Sequence, residues 1–321
     1  MGHICRICGN DNEGDEILLK NVRRDLNEKF SYFRCENCGC IQICEIPDNL
    51  GDYYDSNIYY SFDNKASFIS IILSMKIIKI LRKVAFGTNF YKKRHMDFFE
   101  DNIDKINLML GNDKKSKKRI SVVDVGCGTG YFLDQLSALG FKNIMGIDPF
   151  LPQNQESQNY VELKKLSIKE LDGKWDQIWM MHSLEHLVNP LDDLIAMRER
   201  LKDCGKGIII IPICDSYDFE YYKDNWAGAD APVHIFLHTR KSIKLLLEQA
   251  GLRLVSEYHL ETGWPLIQSE KLKNGYALDD HCKSLVEILG ENKIDELRKK
   301  QQDINAKKES GVVTFVVEKA K

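Results

Sequence analysis

From residue 120 to residue 259, short apolar runs alternate with stretches whose apolar positions recur three and four residues apart. The runs at 120–124, 144–148, 161–166, 177–181, 207–211 and 252–259 read as strands, and 131–139, 191–201 and 239–249 read as helices. Such alternation predicts an α/β fold with a doubly wound, mostly parallel sheet. A last strand is expected at 311–317, after a charged helical segment spanning about 278–305. Upstream, aromatic turns with Tyr53, Tyr54, Tyr59, Tyr60 and Phe62 precede two expected helices at 65–86 and about 91–110. The first places Lys76, Lys79, Arg82 and Lys83 on one face and Leu73, Ile77, Ile80, Leu81 and Val84 on the other. That face suits packing against the following domain and, as a second choice, a membrane surface.

Six of the ten cysteines lie in residues 1–45, and none occurs between 46 and 126. Cys5-x2-Cys8 and Cys35-x2-Cys38 have the spacing of two knuckles that aim four thiolates at one tetrahedral ion, and Gly9 and Gly39 directly follow each pair. The expectation is a structural zinc in a small N-terminal ribbon, closed to substrate because all four positions are sulfur. Cys40 and Cys44 read as small apolar side chains. The N-terminus shows no secretory pattern, which predicts a reducing cytoplasm, where close-set cysteines bind metal rather than oxidise. These boundaries divide the chain into a zinc head at 1–45, a connection or lid at 46–118 and a catalytic domain at 119–321.

The strand at 120–124 runs into Asp124-Val125-Gly126-Cys127-Gly128-Thr129-Gly130 and then a helix. A dinucleotide fingerprint would place its third glycine at Tyr131, so the pyrophosphate reading fails. The loop instead resembles the first motif, D-x-G-x-G-x-G, of the class I S-adenosylmethionine-dependent methyltransferases. That resemblance implies a Rossmann-like sheet, with Gly126, Gly128 and Gly130 letting the amino-acid end of the cofactor lie against main chain and Asp124 as the partner of that end. Asp148, 22 residues beyond Gly126, would accept the ribose hydroxyls, and Ser167 and Ile168 would line the adenine.

His182-Ser183-Leu184-Glu185-His186-Leu187-Val188-Asn189-Pro190 is similar to the H-x-L-E-H-x-x-x-P segment of methyltransferases of glycan and small-molecule pathways. His182, placed where a central strand ends, is the first candidate for removing a proton from an acceptor hydroxyl and also falls beside the cofactor. His186 and His234 are the other candidate bases; His234 lies in Pro232-Val233-His234-Ile235-Phe236 and, with His238, is expected on the approach to the pocket. Thr239 is placed to cap the next helix, and Trp226, Tyr221, Tyr222 and Phe236 are a candidate face for a sugar ring. The H-x-x-E-H cluster also admits a catalytic magnesium, although a histidine at 182 in place of a glutamate argues against so hard a cation.

The cysteine head joined to the glycine loop is similar to the zinc-headed sugar C-methyltransferases over residues 1–60 and 120–260. The long C-terminal domain of those enzymes has no counterpart, so an O-methyl transfer to a sugar, glycan precursor or other small molecule stands beside a C-methyl transfer. With 45 Lys and Arg against 48 Asp and Glu, the net charge of −3 disfavours a nucleic-acid acceptor. The two competing expectations are an RNA methyltransferase that grips its substrate with the head, which salt-dependent RNA binding would reveal, and a non-catalytic cofactor-binding protein, which turnover would exclude. Oligomeric state is not legible in these residues.

Overall fold

The structure, a computed structural model, describes residues 2–54 and 118–320. The helices expected at 65–86 and 91–110, with the membrane and lid readings attached to them, lie outside the described residues, as do Tyr59, Tyr60 and Phe62. Among the described residues no helix is long and apolar enough to cross a membrane.

The N-terminal region forms β1 (His3–Ile4), β2 (Asp11–Asn12), β3 (Glu16–Lys20), β4 (Lys29–Arg34) and β5 (Ile41–Ile43). The second region supplies β6 (Ser121–Val125), α1 (Tyr131–Ala138), β7 (Asn143–Ile147), β8 (Gln155–Glu156), β9 (Glu162–Lys164), β10 (Trp175–Met181), α2 (Pro190–Arg200) and β11 (Leu201–Pro212). It continues with α3 (Tyr217–Tyr222), β12 (Phe236–Leu237), α4 (Arg240–Gln249), β13 (Leu252–Tyr258), α5 (Trp264–Lys273), α6 (Leu285–Leu289), α7 (Glu291–Ala306) and β14 (Val312–Lys319).

Eight strands form one sheet in the order β13-β14-β11-β10-β6-β7-β9-β8. From β9 through β7, β6 and β10 to β11 the pairing is parallel, and β14 enters antiparallel between β11 and β13. Strand order therefore reverses beside β6, and the crevice outside the carboxyl ends of β6 and β10 is where such sheets bind ligands. The Ile208–Ile211 run is buried on both faces, as a continuous apolar strand between two layers must be. The charged segment expected as one helix is interrupted at Gly290, which separates α6 from α7. A helix at α5 precedes it, where the periodicity was too weak to announce one.

The head is joined to the domain by main chain. β12, some 200 residues downstream, adds to the head's sheet as its fourth strand, in the order β12-β5-β4-β3, with Phe236 opposite Gln42 and Leu237 opposite Ile41. Thr239 accepts from the Ser242 N–H at 3.0 Å, which caps α4 as its sequence position predicted, and donates to the Cys38 carbonyl at 2.6 Å. Tyr32 donates to the His234 carbonyl at 2.9 Å, and one apolar core runs from Cys5, Ile41 and Ile43 to Ile213, Phe236 and Leu246.

Candidate active site

The glycine loop leaves β6 at Gly126, whose N–H donates to the Ile147 carbonyl at 2.8 Å, and Gly130 opens α1 with φ 79°. A Cβ on Gly130 would lie 2.9 Å from both Leu163 and Ser157, and one on Gly126 would lie 2.7 Å from the Ser183 side chain. Both also have positive φ, so only glycine lets the loop pass this close to β9 and to the turn after β10. Asp148, just past β7, accepts from the Gly128 N–H at 3.0 Å and from the Phe150 N–H at 2.8 Å. Its carboxyl is raised by burial, partly offset by those two donors. Each of its oxygens retains a lone pair for a further donor.

Asp124 is buried in β6, and one of its carboxylate oxygens has no hydrogen-bond partner among the described residues. Burial, and then the charge of Asp148, hold its carboxyl well above the usual range. A buried, unsatisfied oxygen of this kind needs a donor or cation. The sulfonium and ammonium of S-adenosylmethionine would answer that need, and the cradle of Asp124, Gly126, Gly128, Gly130 and Asp148 fits the cofactor. Ser167 is engaged differently, its side chain and N–H both donating to Glu170 in a capping box, while Ile168 is buried.

His182 follows β10 directly, with φ 50° and its N–H bonded to the Ile210 carbonyl. A non-glycine residue in this left-handed region carries backbone strain that the surrounding structure must hold. Its imidazole is 39% exposed and places Nδ1 3.4 Å from Glu185, which is fully buried. Burial by itself would raise the Glu185 carboxyl, but the imidazole of His182 and the charges of His186 and His234 hold it down at about 2. His186 Nδ1 bonds the Val233 carbonyl at 2.9 Å and lies 3.0 Å from the Tyr54 hydroxyl; burial, and then His234, push it down to about 4. His234 donates from Nδ1 to the Gly228 carbonyl at 2.9 Å and turns Nε2 toward Glu185, 3.9 Å away, and Asp230, 3.8 Å away. Arg23 from the head holds Asp230 with a two-pronged contact at 2.6 to 2.9 Å.

The three candidate histidines thus gather around one carboxylate, but two other expectations change. Neither His234 nor His238 lies open on the approach: His234 is buried, and His238 is fully buried because it follows β12, stacks on Phe236 and faces the Cys40 sulfur at 3.9 Å. Trp226, Tyr222 and Phe236 are buried as well and present no face to a sugar; of that group only Tyr221 is exposed. Sequence reasoning missed Arg23, and it missed that Tyr54 stacks on Phe150 at 5.1 Å beside His186. The aromatic turn around Tyr54 was the available signal.

In the head, Cys5, Cys8, Cys35 and Cys38 bring their sulfurs within 4.8 Å of one another, the closest pairs at 3.5 and 3.6 Å. Ligands at ~2.3 Å from a tetrahedral zinc would be ~3.8 Å apart. Ile7 and Gln42 donate to the Cys5 sulfur and the Cys38 N–H to the Cys35 sulfur. Such donors disperse thiolate charge, so the cluster fits a metal ion. Cys40 lies buried in the core, as a small apolar side chain would.

Residues 93–257, just over half of the chain, match the model of the family described as Methyltransferase domain. The chain belongs to that family, and its fold is that of a class I S-adenosylmethionine-dependent methyltransferase. It is 32% identical over 109 residues to the tRNA U34 carboxymethyltransferase of Shewanella baltica, an alignment covering 30% of this chain and 33% of that protein. The chain thus spans about a third of the length of the curated relatives it matches. Among solved structures it is similar to a putative S-adenosylmethionine-dependent methyltransferase from Listeria monocytogenes, at 14% identity and TM-score 0.43, covering 69% of this chain and 99% of that one. It is also similar to the cyclopropane synthase MmaA2 from Mycobacterium tuberculosis, at 15% identity and TM-score 0.43, covering 80% and 100%.

Proposed function

We propose that the protein transfers a methyl group from S-adenosylmethionine to a hydroxyl or carbon of a sugar, glycan precursor or other small molecule, with His182 as the base. The observation that carries this reading is the position of His182: exposed at the end of β10, beside the glycine loop, with one ring nitrogen turned to a buried carboxylate. Bound S-adenosylmethionine supplies an activated methyl, whose bonding pair stays with the sulfur on transfer.

Asp148 and the glycine loop orient the cofactor, with Asp124 meeting its cationic end. Glu185 fixes the imidazole of His182 with Nδ1–H toward the carboxylate, which leaves Nε2 to accept the acceptor's proton. Alignment and exclusion of water supply most of the remaining rate. The four head cysteines hold a structural zinc that fastens β5 beside β12, and residues 1–45, 46–118 and 119–321 act as head, connection and catalytic domain. Turnover of labelled cofactor against a panel of sugar and small-molecule acceptors tests the reading. His182→Ala should lower kcat by about 100-fold or more with cofactor affinity retained, and a near-wild-type kcat would remove His182 as base.

A second reading follows from the alignment with tRNA U34 carboxymethyltransferases, namely an RNA acceptor. The net charge of −3 weighs against it. RNA binding that weakens steeply with salt would favour it.

A further inference from the structure

The charges buried behind His182 do not balance. Asp230 is matched by Arg23, whose guanidinium grips both of its oxygens. Glu185 has no such cation: it is fully buried, and among the described residues its oxygens face only imidazoles, His182 Nδ1 at 3.4 Å and His234 Nε2 at 3.9 Å. A buried carboxylate flanked only by imidazoles costs several kcal/mol unless a full positive charge joins them.

Two neighbouring imidazoles, His234 buried and His186 half-buried, are prepared to share that charge. A carbonyl oxygen can only accept, so the bonds to Val233 and Gly228 place the protons of His186 and His234 on Nδ1. Both Nε2 atoms are left as lone-pair donors. The two rings meet edge to face, 4.7 Å between centroids, and ligand atoms of Glu185, His186 and His234 lie within 4.8 Å of one another. The Nε2–Oε1 separation of 3.9 Å between His234 and Glu185 is too long for a hydrogen bond, and a shared ion would draw the two atoms in to ~3.3 Å, the edge of a tetrahedron with ~2.0 Å bonds. Backbone carbonyls that lock ring orientation from behind are the usual support of metal-bound histidine.

We infer that Glu185, His186 and His234 form a second metal site, for a borderline divalent ion of the zinc, cobalt or iron(II) type. Two neutral imidazoles and one carboxylate match that class and not magnesium, which prefers an all-oxygen shell. An ion held three residues from His182 would polarise an acceptor hydroxyl and make its proton easier to remove. The site stands on its own geometry and is separate from the head cluster, whose donors are all sulfur.

The test is cobalt(II) titration of the full chain after chelator treatment, followed by absorption and elemental analysis. Cobalt on the head gives intense thiolate charge-transfer bands, whereas cobalt on one carboxylate and two imidazoles gives only weaker visible bands. Wild type should bind one equivalent lacking the thiolate bands, and Glu185→Gln and His234→Gln should each lose that equivalent while keeping the thiolate signal. Retention of the thiolate signal and of cofactor binding in the variants shows that they fold. A wild-type protein with no thiolate-free equivalent, or variants that bind as many ions as wild type, overturns the inference. Because the readout is metal content, it stands or falls apart from turnover and from the role of His182.

Discussion

Arg23 of the head grips Asp230 through the Nε and Nη2 edge of its guanidinium, and Asp230 in turn lies 3.8 Å from Nε2 of His234. A residue from the cysteine-rich region therefore sets the charge behind the candidate catalytic cluster. The pair is nearly enclosed, at 13% and 4% side-chain exposure. Replacing Arg23 with Gln strands the carboxylate and should cost about 3 kcal/mol in urea unfolding. Arg23→Gln together with Asp230→Asn should recover much of that loss. Stability unchanged in the single variant would mean that the pair is spectator to the fold.

Asp124 is held in its unfavourable buried position with one oxygen unsatisfied among the described residues. Asp124→Asn should leave the free protein as stable as wild type or more so, while S-adenosylmethionine affinity falls at least about tenfold, the worth of one lost charged contact. Calorimetric binding and thermal unfolding of the same sample separate the two effects. Full affinity in the variant would assign the cofactor's cationic end to another group.

The bond from Thr239 to the Cys38 carbonyl and the pairing of β12 with β5 make the head part of the domain's core. Stripping metal with a strong chelator should therefore lower the melting temperature of the whole chain in one transition. Thr239→Ala, which loses both a cap and this contact, should cost about 1 to 2 kcal/mol. An early separate transition for the head would show that the two regions unfold independently.

Asp218 in α3 is fully buried, packed against Gly311. Burial, and then the charge of Glu261, raise its carboxyl from an ordinary value of 3.8 to about 7. A group raised in the folded state contributes stability that is full below its unfolded value and is lost as pH rises through the folded one. Wild type should thus lose stability between pH values of about 4 and about 7 relative to Asp218→Asn, by a few kcal/mol at most. Parallel curves for the two proteins across this range would place Asp218 in a polar setting instead.

The alternation of strands and helices, the glycine loop, the paired cysteines and the cap at Thr239 were legible in the chain because each is a local signal. Period, spacing and small-residue placement act over a few residues, and the backbone must obey them wherever the segment lies. The environment of each histidine was not local. His182 and His238 are both histidines near strand ends, yet one opens at φ 50° beside the loop and the other is buried against Cys40 because β12 joins the head's sheet. Tyr32 and Tyr54 reach His234 and His186 across more than a hundred residues, as Arg23 reaches Asp230. Such long-range contacts form only when separate segments bury a common surface, so tertiary structure alone decided which polar groups were left without partners and therefore available for chemistry.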